Sequence, residues 1–168
     1  MYIPPRPLPT PLRLLAMVID WLAILMGAGI VTLVFLDVLM HQIGFDIAWT
    51  DDFTQILMVW VTFLGGAAAG RRGEHVAITS LVDLLPARLH CWTEGLAQLV
   101  AAAVLVLLVW KGIAIAQSAS ADHFSVLGWP MSVEYAGLPV GSAATLVFVL
   151  FDLTEIVRGV PRHARYGE

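Results

Sequence analysis

Charged residues in this chain fall in short clusters, and long uncharged runs separate them. The stretch WTDDFTQILMVWVTFLGGAAAGRRGEHVAITSLVDLL, residues 49–85, sets the pattern. Asp51 and Asp52 open it, the eighteen residues Phe53 to Gly70 carry no charge, and Arg71-Arg72 close it. At 1.5 Å per residue that run makes about 27 Å of helix, close to the roughly 30 Å hydrocarbon core of a bilayer. Thr50 is suited to cap the helix start, where two carboxylates also complement the dipole. Beyond the arginines, His75 to Leu85 is too short and too mixed to span. Its Val76, Leu81, Val82, Leu84 and Leu85 can share a broad face, which predicts an interfacial helix over about 75–85.

Three more runs of the same kind follow from the rest of the chain. Asp20 and Asp37 bracket Trp21 to Leu36, Glu94 and Lys111 bracket Gly95 to Trp110, and Glu134 and Asp152 bracket the fourth run. Together they predict an all-α integral membrane protein. Four transmembrane helices cover about 12–40, 50–70, 88–118 and 132–157, and residues 1–168 form a single membrane domain. Five prolines in residues 1–11 predict an extended tail, and Pro139 early in the fourth span predicts a kink. The apolar start is too long for a cleavable signal and is expected to remain as the first span.

Composition agrees with this picture. Of 168 residues, 59% are hydrophobic and 13% charged, with a mean hydropathy of +0.83. Nine Lys+Arg against thirteen Asp+Glu leave no basic surface for nucleic acid. The lone Cys91 excludes an internal disulfide and cysteine-rich metal sites. With four crossings, Arg6, Arg13, Arg71, Arg72, Arg88, Arg158, Arg162 and Arg165 all lie on one side, so both termini are expected in the cytoplasm. Arg71, Arg72 and Arg88 are then topology determinants that meet lipid headgroups. The opposite face is acidic, and Asp46, Asp51, Asp52 and Asp122 lie on it.

The chemistry between the ends is sparse. No span carries a charged residue in its central stretch, whereas transporters place ionisable groups or broken helices near the midplane. The polar residues there, Thr32, Thr62, Gln98, Ser142 and Thr145, are expected to hydrogen-bond between helices. Five histidines raise the alternative of a haem-holding membrane-anchor subunit of an oxidoreductase, but they lie toward the edges or in the tail rather than facing each other inside the spans; a small stand-alone channel or carrier is a further alternative. Neither a catalytic constellation nor a cofactor site is expected. Small residues at close spacing, Gly65, Gly66, Ala69 and Gly70 on the second span and Gly137 and Gly141 on the fourth, let helices approach. They can serve packing inside the chain or contact with a second membrane protein.

With these residues in view, the chain resembles the small, Q-type subunit of tripartite ATP-independent periplasmic (TRAP) transporters. The resemblance lies in Trp49, Asp51, Asp52, Trp60, Phe63, Leu64, Gly65, Arg71, Arg72, Gly73, His75 and Val76. Leu85-Pro86, Gly128, Pro130, Tyr135, Pro139 and Gly141 add to it. Aspartates stand where that family more often has glutamates, and Thr79 and His41 also depart from its usual pattern. The resemblance implies a non-enzymatic scaffold in a bacterial inner membrane. It implies a large M-type membrane subunit that carries an organic acid with sodium ions, and a periplasmic substrate-binding protein, which Asp46, Asp51, Asp52 and Asp122 on the acidic face are then expected to help dock. Besides these protein partners, membrane lipids surround the chain.

Overall fold

A computed structural model describes residues 9–71 and 87–158, with the side chains of 87–92 and 94 left out. The interfacial helix expected over 75–85 lies outside the described residues. Four helices are long and apolar enough to cross a membrane. Helix α1 runs Thr10–Gln42, α2 Thr50–Arg71 and α3 Ala87–Ser118. The fourth crossing is a short α4, Ser132–Tyr135, continued by α5, Gly137–Val157.

Three local features differ from the sequence reading, each for a backbone reason. First, the prolines do not keep the chain extended up to residue 11: α1 starts at Thr10 and takes Pro11 into its first turn. The first turn has no partner for its N–H groups in any case, so proline is tolerated there. Second, Thr50 is already helical rather than capping. Its own N–H bonds Ile47 O, Phe53 N–H bonds Trp49 O, and its buried hydroxyl makes no hydrogen bond. Third, the fourth crossing is interrupted at Ala136 with helical dihedrals of −63° and −23°. Pro139 has no N–H to give the Tyr135 carbonyl, so the ladder skips one bond there.

The crossings form an open row. α1 packs on α2, α2 on α5, and α5 on α3, with α4 wedged among α2, α3 and α5. The two end helices each have one main long-helix partner among the described residues, and their burial patterns show it. Along α1 the sheltered positions include Leu12, Ala16, Ile19, Ala23, Met26, Ile30, Leu33 and Asp37; along α3 they include Gln98, Ala102, Leu105, Val109, Gly112 and Ala116. Alternating steps of four and three residues make a narrow seam of the coiled-coil type. The remaining circumference faces outward, with Leu25, Val31 and Phe35 on α1 and Val106, Leu107 and Trp110 on α3 well exposed.

The middle pair is tighter. α2 and α5 run in the same direction, and glycines set their separation. A Cβ on Gly141 would sit 2.5 Å from Phe63 Cβ and 2.9 Å from its carbonyl carbon, and one on Gly137 would meet Val59 and Trp60. On the far side of α5, Gly112 of α3 admits the Pro139 ring, 2.9 Å from a Cβ built there. A small cluster of Ala16, Ile19, Leu64, Ala67 and Phe148 ties α1, α2 and α5 together. In lipid there is no water to exclude between helices, so this close contact is what holds them.

Gly141→Ala therefore forces helix backbone against side chain, an overpacking cost of about 1–3 kcal/mol. It is expected to lower the melting temperature of the purified chain in detergent, followed by circular dichroism. Gly66→Ala, where an added Cβ meets nothing within 4 Å, is expected to leave it unchanged or raise it.

Candidate functional site

Polar contacts between elements gather at two levels, one near each end of the row. At the acidic end, Asp52 of α2 reaches the loop between α3 and α4. Its Oδ2 accepts the backbone N–H groups of Val126 and Leu127, at 3.0 and 3.1 Å. Those two donors stand in a turn whose own bonds are complete: Phe124 N–H to Trp129 O, Gly128 N–H to Phe124 O, and Met131 N–H to Asp122 O. Gly128 sits at φ +66°, where a side chain would be strained. Phe53 and Trp129 meet edge to face across the same junction. One turn further along α2, Gln55 Nε2 donates to buried Glu134 Oε1 at 3.0 Å, and Trp60 Nε1 donates to Val133 O at 2.9 Å.

At the arginine end, Arg71 Nη2 donates to Asp20 Oδ2 at 2.6 Å, joining α2 to α1. Gln98 Nε2 donates to Asp152 Oδ2, joining α3 to α5. Buried Glu155 takes a bond from Arg158 one turn on. Each such bond satisfies a group that would be costly to leave bare at the edge of a bilayer.

Between these levels, the hydroxyls expected to bond across helices turn back on their own. Thr32, Thr62 and Thr145 donate to the carbonyls of Ala28, Met58 and Gly141, each four residues earlier. A threonine in a helix can satisfy itself this way, so nothing needs to stand opposite. Of the expected mid-span polar residues, Gln98 does reach across to another helix.

The residues singled out from sequence divide accordingly. Gly137 and Gly141 face the chain's own α2, whereas a Cβ on Gly65 or Gly66 would meet nothing within 4 Å among the described residues. Ala69 and Gly70 are half-buried. Asp46, Asp51 and Asp122 are exposed at the acidic end, near exposed Ile43 and Phe45, while Asp52 is engaged with the loop. Arg71 is paired with Asp20 rather than free for a headgroup; Arg72 lies outside the described residues, and Arg88 is placed in α3 by its backbone alone. Lys111, which closes the uncharged run of α3, lies over the Trp110 ring at 5.2 Å.

Sequence reasoning missed the acceptor roles of Asp52, Glu134 and Asp20. A span-end carboxylate beside an uncharged run was the available signal, but its partners lie 74, 79 and 51 residues away. Among the described residues, no group of three or more His, Cys, Asp or Glu stands together.

Fold and contacts thus define a multi-pass helical membrane protein whose polar residues tie its own helices together. The chain belongs to the family of tripartite ATP-independent periplasmic transporters, DctQ component, whose pattern matches residues 30–159. It is 27% identical over 122 residues to the sialic acid TRAP transporter permease protein SiaT of Haemophilus influenzae (strain 86-028NP), covering 72% of this chain and 20% of that one. A putative TRAP transporter small permease protein of Haemophilus influenzae (strain Rd) is 39% identical over 56 residues, 32% of this chain and 34% of that protein. An uncharacterized protein, y4mM, of Sinorhizobium fredii is 25% identical over 161 residues, 92% of this chain and 30% of the relative. The matched segments thus span between 20% and 34% of the length of these curated relatives.

Asp52→Ala is expected to release the Val126 and Leu127 amides, so that hydrogen exchange across residues 122–131 speeds up by at least about tenfold. Asp51→Ala, which removes an exposed carboxylate on the same turn, is the control and should leave exchange there unchanged.

Proposed function

We propose that the chain is the small, non-catalytic membrane subunit of a sodium-coupled secondary transporter for an organic acid. In this reading it sits in a bacterial inner membrane with both termini in the cytoplasm, and it braces a larger subunit that carries substrate and ions. One observation carries the reading: each span is uncharged through its centre, and the threonine hydroxyls there bond their own helices. A membrane protein so arranged offers a solute or ion little to bind midway across. It does offer stiffness, with glycine-set contacts in the middle and polar ties at each end. Family membership supports the transport context.

The acidic end suits a second role, helping a soluble binding protein dock. Asp46, Asp51 and Asp122 are exposed there, and the two loops on that side contain no Lys or Arg. Asp52 acts in this role indirectly, by holding the 122–131 loop in place. Charges at the rim of such a contact mainly set the rate of encounter and its salt dependence.

The test is uptake in proteoliposomes. The large subunit with this chain and the binding protein should accumulate substrate down a sodium gradient, and the large subunit without this chain should not. Flux through liposomes containing this chain alone would overturn the reading. Asp51→Lys should raise the binding-protein concentration needed for half-maximal uptake at low salt, with the difference vanishing at high salt. Equal curves at low salt would remove the docking role.

A further inference from the structure

Lys111 is exposed on the outward side of α3, while its neighbour Gly112 is buried against the Pro139 ring. Apolar residues Gly112 to Ala116 follow it and are still helical, so the lysine stands inside its span. Ser118, the end of α3, is seven residues further on, about 10 Å along the axis. From the middle of the apolar span Gly95–Ser118 the lysine is about 7 Å away, half the roughly 15 Å from midplane to headgroups. A neighbouring helix gives the same depth. Pro139 falls between Gly137, which meets Trp60, and Gly141, which meets Phe63, so this level crosses α2 within its uncharged run. We propose that this side of α3 receives a membrane-spanning helix of the larger subunit, and that a carboxylate on that helix pairs with Lys111. The proposal rests on the companion subunit argued for above, and adds the surface and the contact it uses.

The chain itself supplies no counter-charge. Among the described residues, the ion pairs join Arg71 to Asp20 and Arg158 to Glu155, and none involves Lys111. What its ammonium meets is the Trp110 ring, 5.2 Å from the centroid. A ring face attracts a cation without neutralising it. Around it, Val104, Leu108 and Ile115 are exposed aliphatic groups, and the Ser118 hydroxyl is spent on Ile115 O of its own helix. A lone ammonium among aliphatic side chains is costly at this depth, and charged residues inside spans pair or border water. Charge complementarity therefore calls for an anion, held where the lysine is.

Depth selects the source of that anion. Lipid phosphates stand at headgroup level, about 8 Å further out. A helical side chain leaves its Cα toward the helix N-terminus, which on α3 is away from the acidic end and its headgroups. A soluble protein does not reach below that level either. A second copy of this chain lacks a suitable group: of the carboxylates with no bond inside the chain, Asp46, Asp51 and Asp122 stand in loops or at a helix start, and Asp37 lies in the α1 seam. A helix of another membrane protein can carry a carboxylate to this depth. In the SiaT relative, the matched segment is a fifth of one longer permease chain, which agrees with a larger permease neighbour.

The experiment measures the affinity of the fluorescently labelled chain for the large subunit in lipid–detergent micelles, with and without phosphatidylglycerol. Lys111→Glu should weaken binding at least about tenfold, and Lys111→Arg should bind as the wild type does. Lys111→Met should weaken binding too, while the melting temperature of the chain alone stays the same or rises. Replacing the carboxylates in the large subunit's spans by lysine, one at a time, should restore binding of Lys111→Glu at one position. Equal affinity of Lys111→Glu and wild type, or no position that restores it, would overturn the pairing. Affinity that follows phosphatidylglycerol in the wild type but not in Lys111→Met would assign the ammonium to a lipid phosphate and overturn it as well. So would self-association of the chain that Lys111→Glu abolishes. Absence of any binding between the wild-type chain and the large subunit would instead sink the companion reading itself.

Discussion

The parallel contact between α2 and α5 governs the structure. It needs glycine at 141, because the Phe63 backbone stands where any side chain would go, and it lets Trp60 reach the Val133 carbonyl. Gln55 and Glu134 close the same junction at its acidic end. Once that pair is set, α1 and α3 each need one narrow seam to attach, which they supply through positions spaced by fours and threes. The outcome is a row with two open flanks rather than a closed bundle around a pore. Among the described residues, the midspan threonines Thr32, Thr62 and Thr145 bond their own turns instead of facing one another.

Apolar packing and polar ties are separated along the helix axes. Apolar contact at glycine and alanine holds the centre, and charged or amide side chains hold the rims. Asp52 shows how the rim works. A carboxylate in the first turn of a helix is favoured there by the dipole, and here it also fixes two loop amides on the far side of the sequence. The loop it fixes carries exposed Val126 and Trp129, so the acidic end offers a shaped surface and not merely charge. At the other rim, the Asp20 and Arg71 pair locks α1 to α2 at the last residue of α2.

The sequence made the spans legible because an uncharged run of bilayer length has few other uses in a chain this apolar. Their bounds came within a few residues, and the largest misreading was Pro11, which a helix accepts in its first turn. Which glycines meet what was not legible. Gly66 and Gly70 share the spacing of Gly137 and Gly141, yet Gly137 and Gly141 are crowded from within while a Cβ on Gly66 would meet open space, and only the assembled helices distinguish them. The roles of Asp52 and Arg71 were hidden for a similar reason. Position at a span end explains a charge well enough from local rules, and the distant amide or carboxylate that engages it leaves no mark nearby.

If the chain is a fixed brace, its outer helices must keep their separation while the assembled transporter works. Spin labels at Leu25 on α1 and Leu107 on α3 span the whole row, and double electron–electron resonance in the reconstituted complex reads the distance between them. One unchanged distribution is predicted with and without a sodium gradient and saturating substrate. A second distance appearing under transport conditions would show that the row itself moves, and would contradict the account.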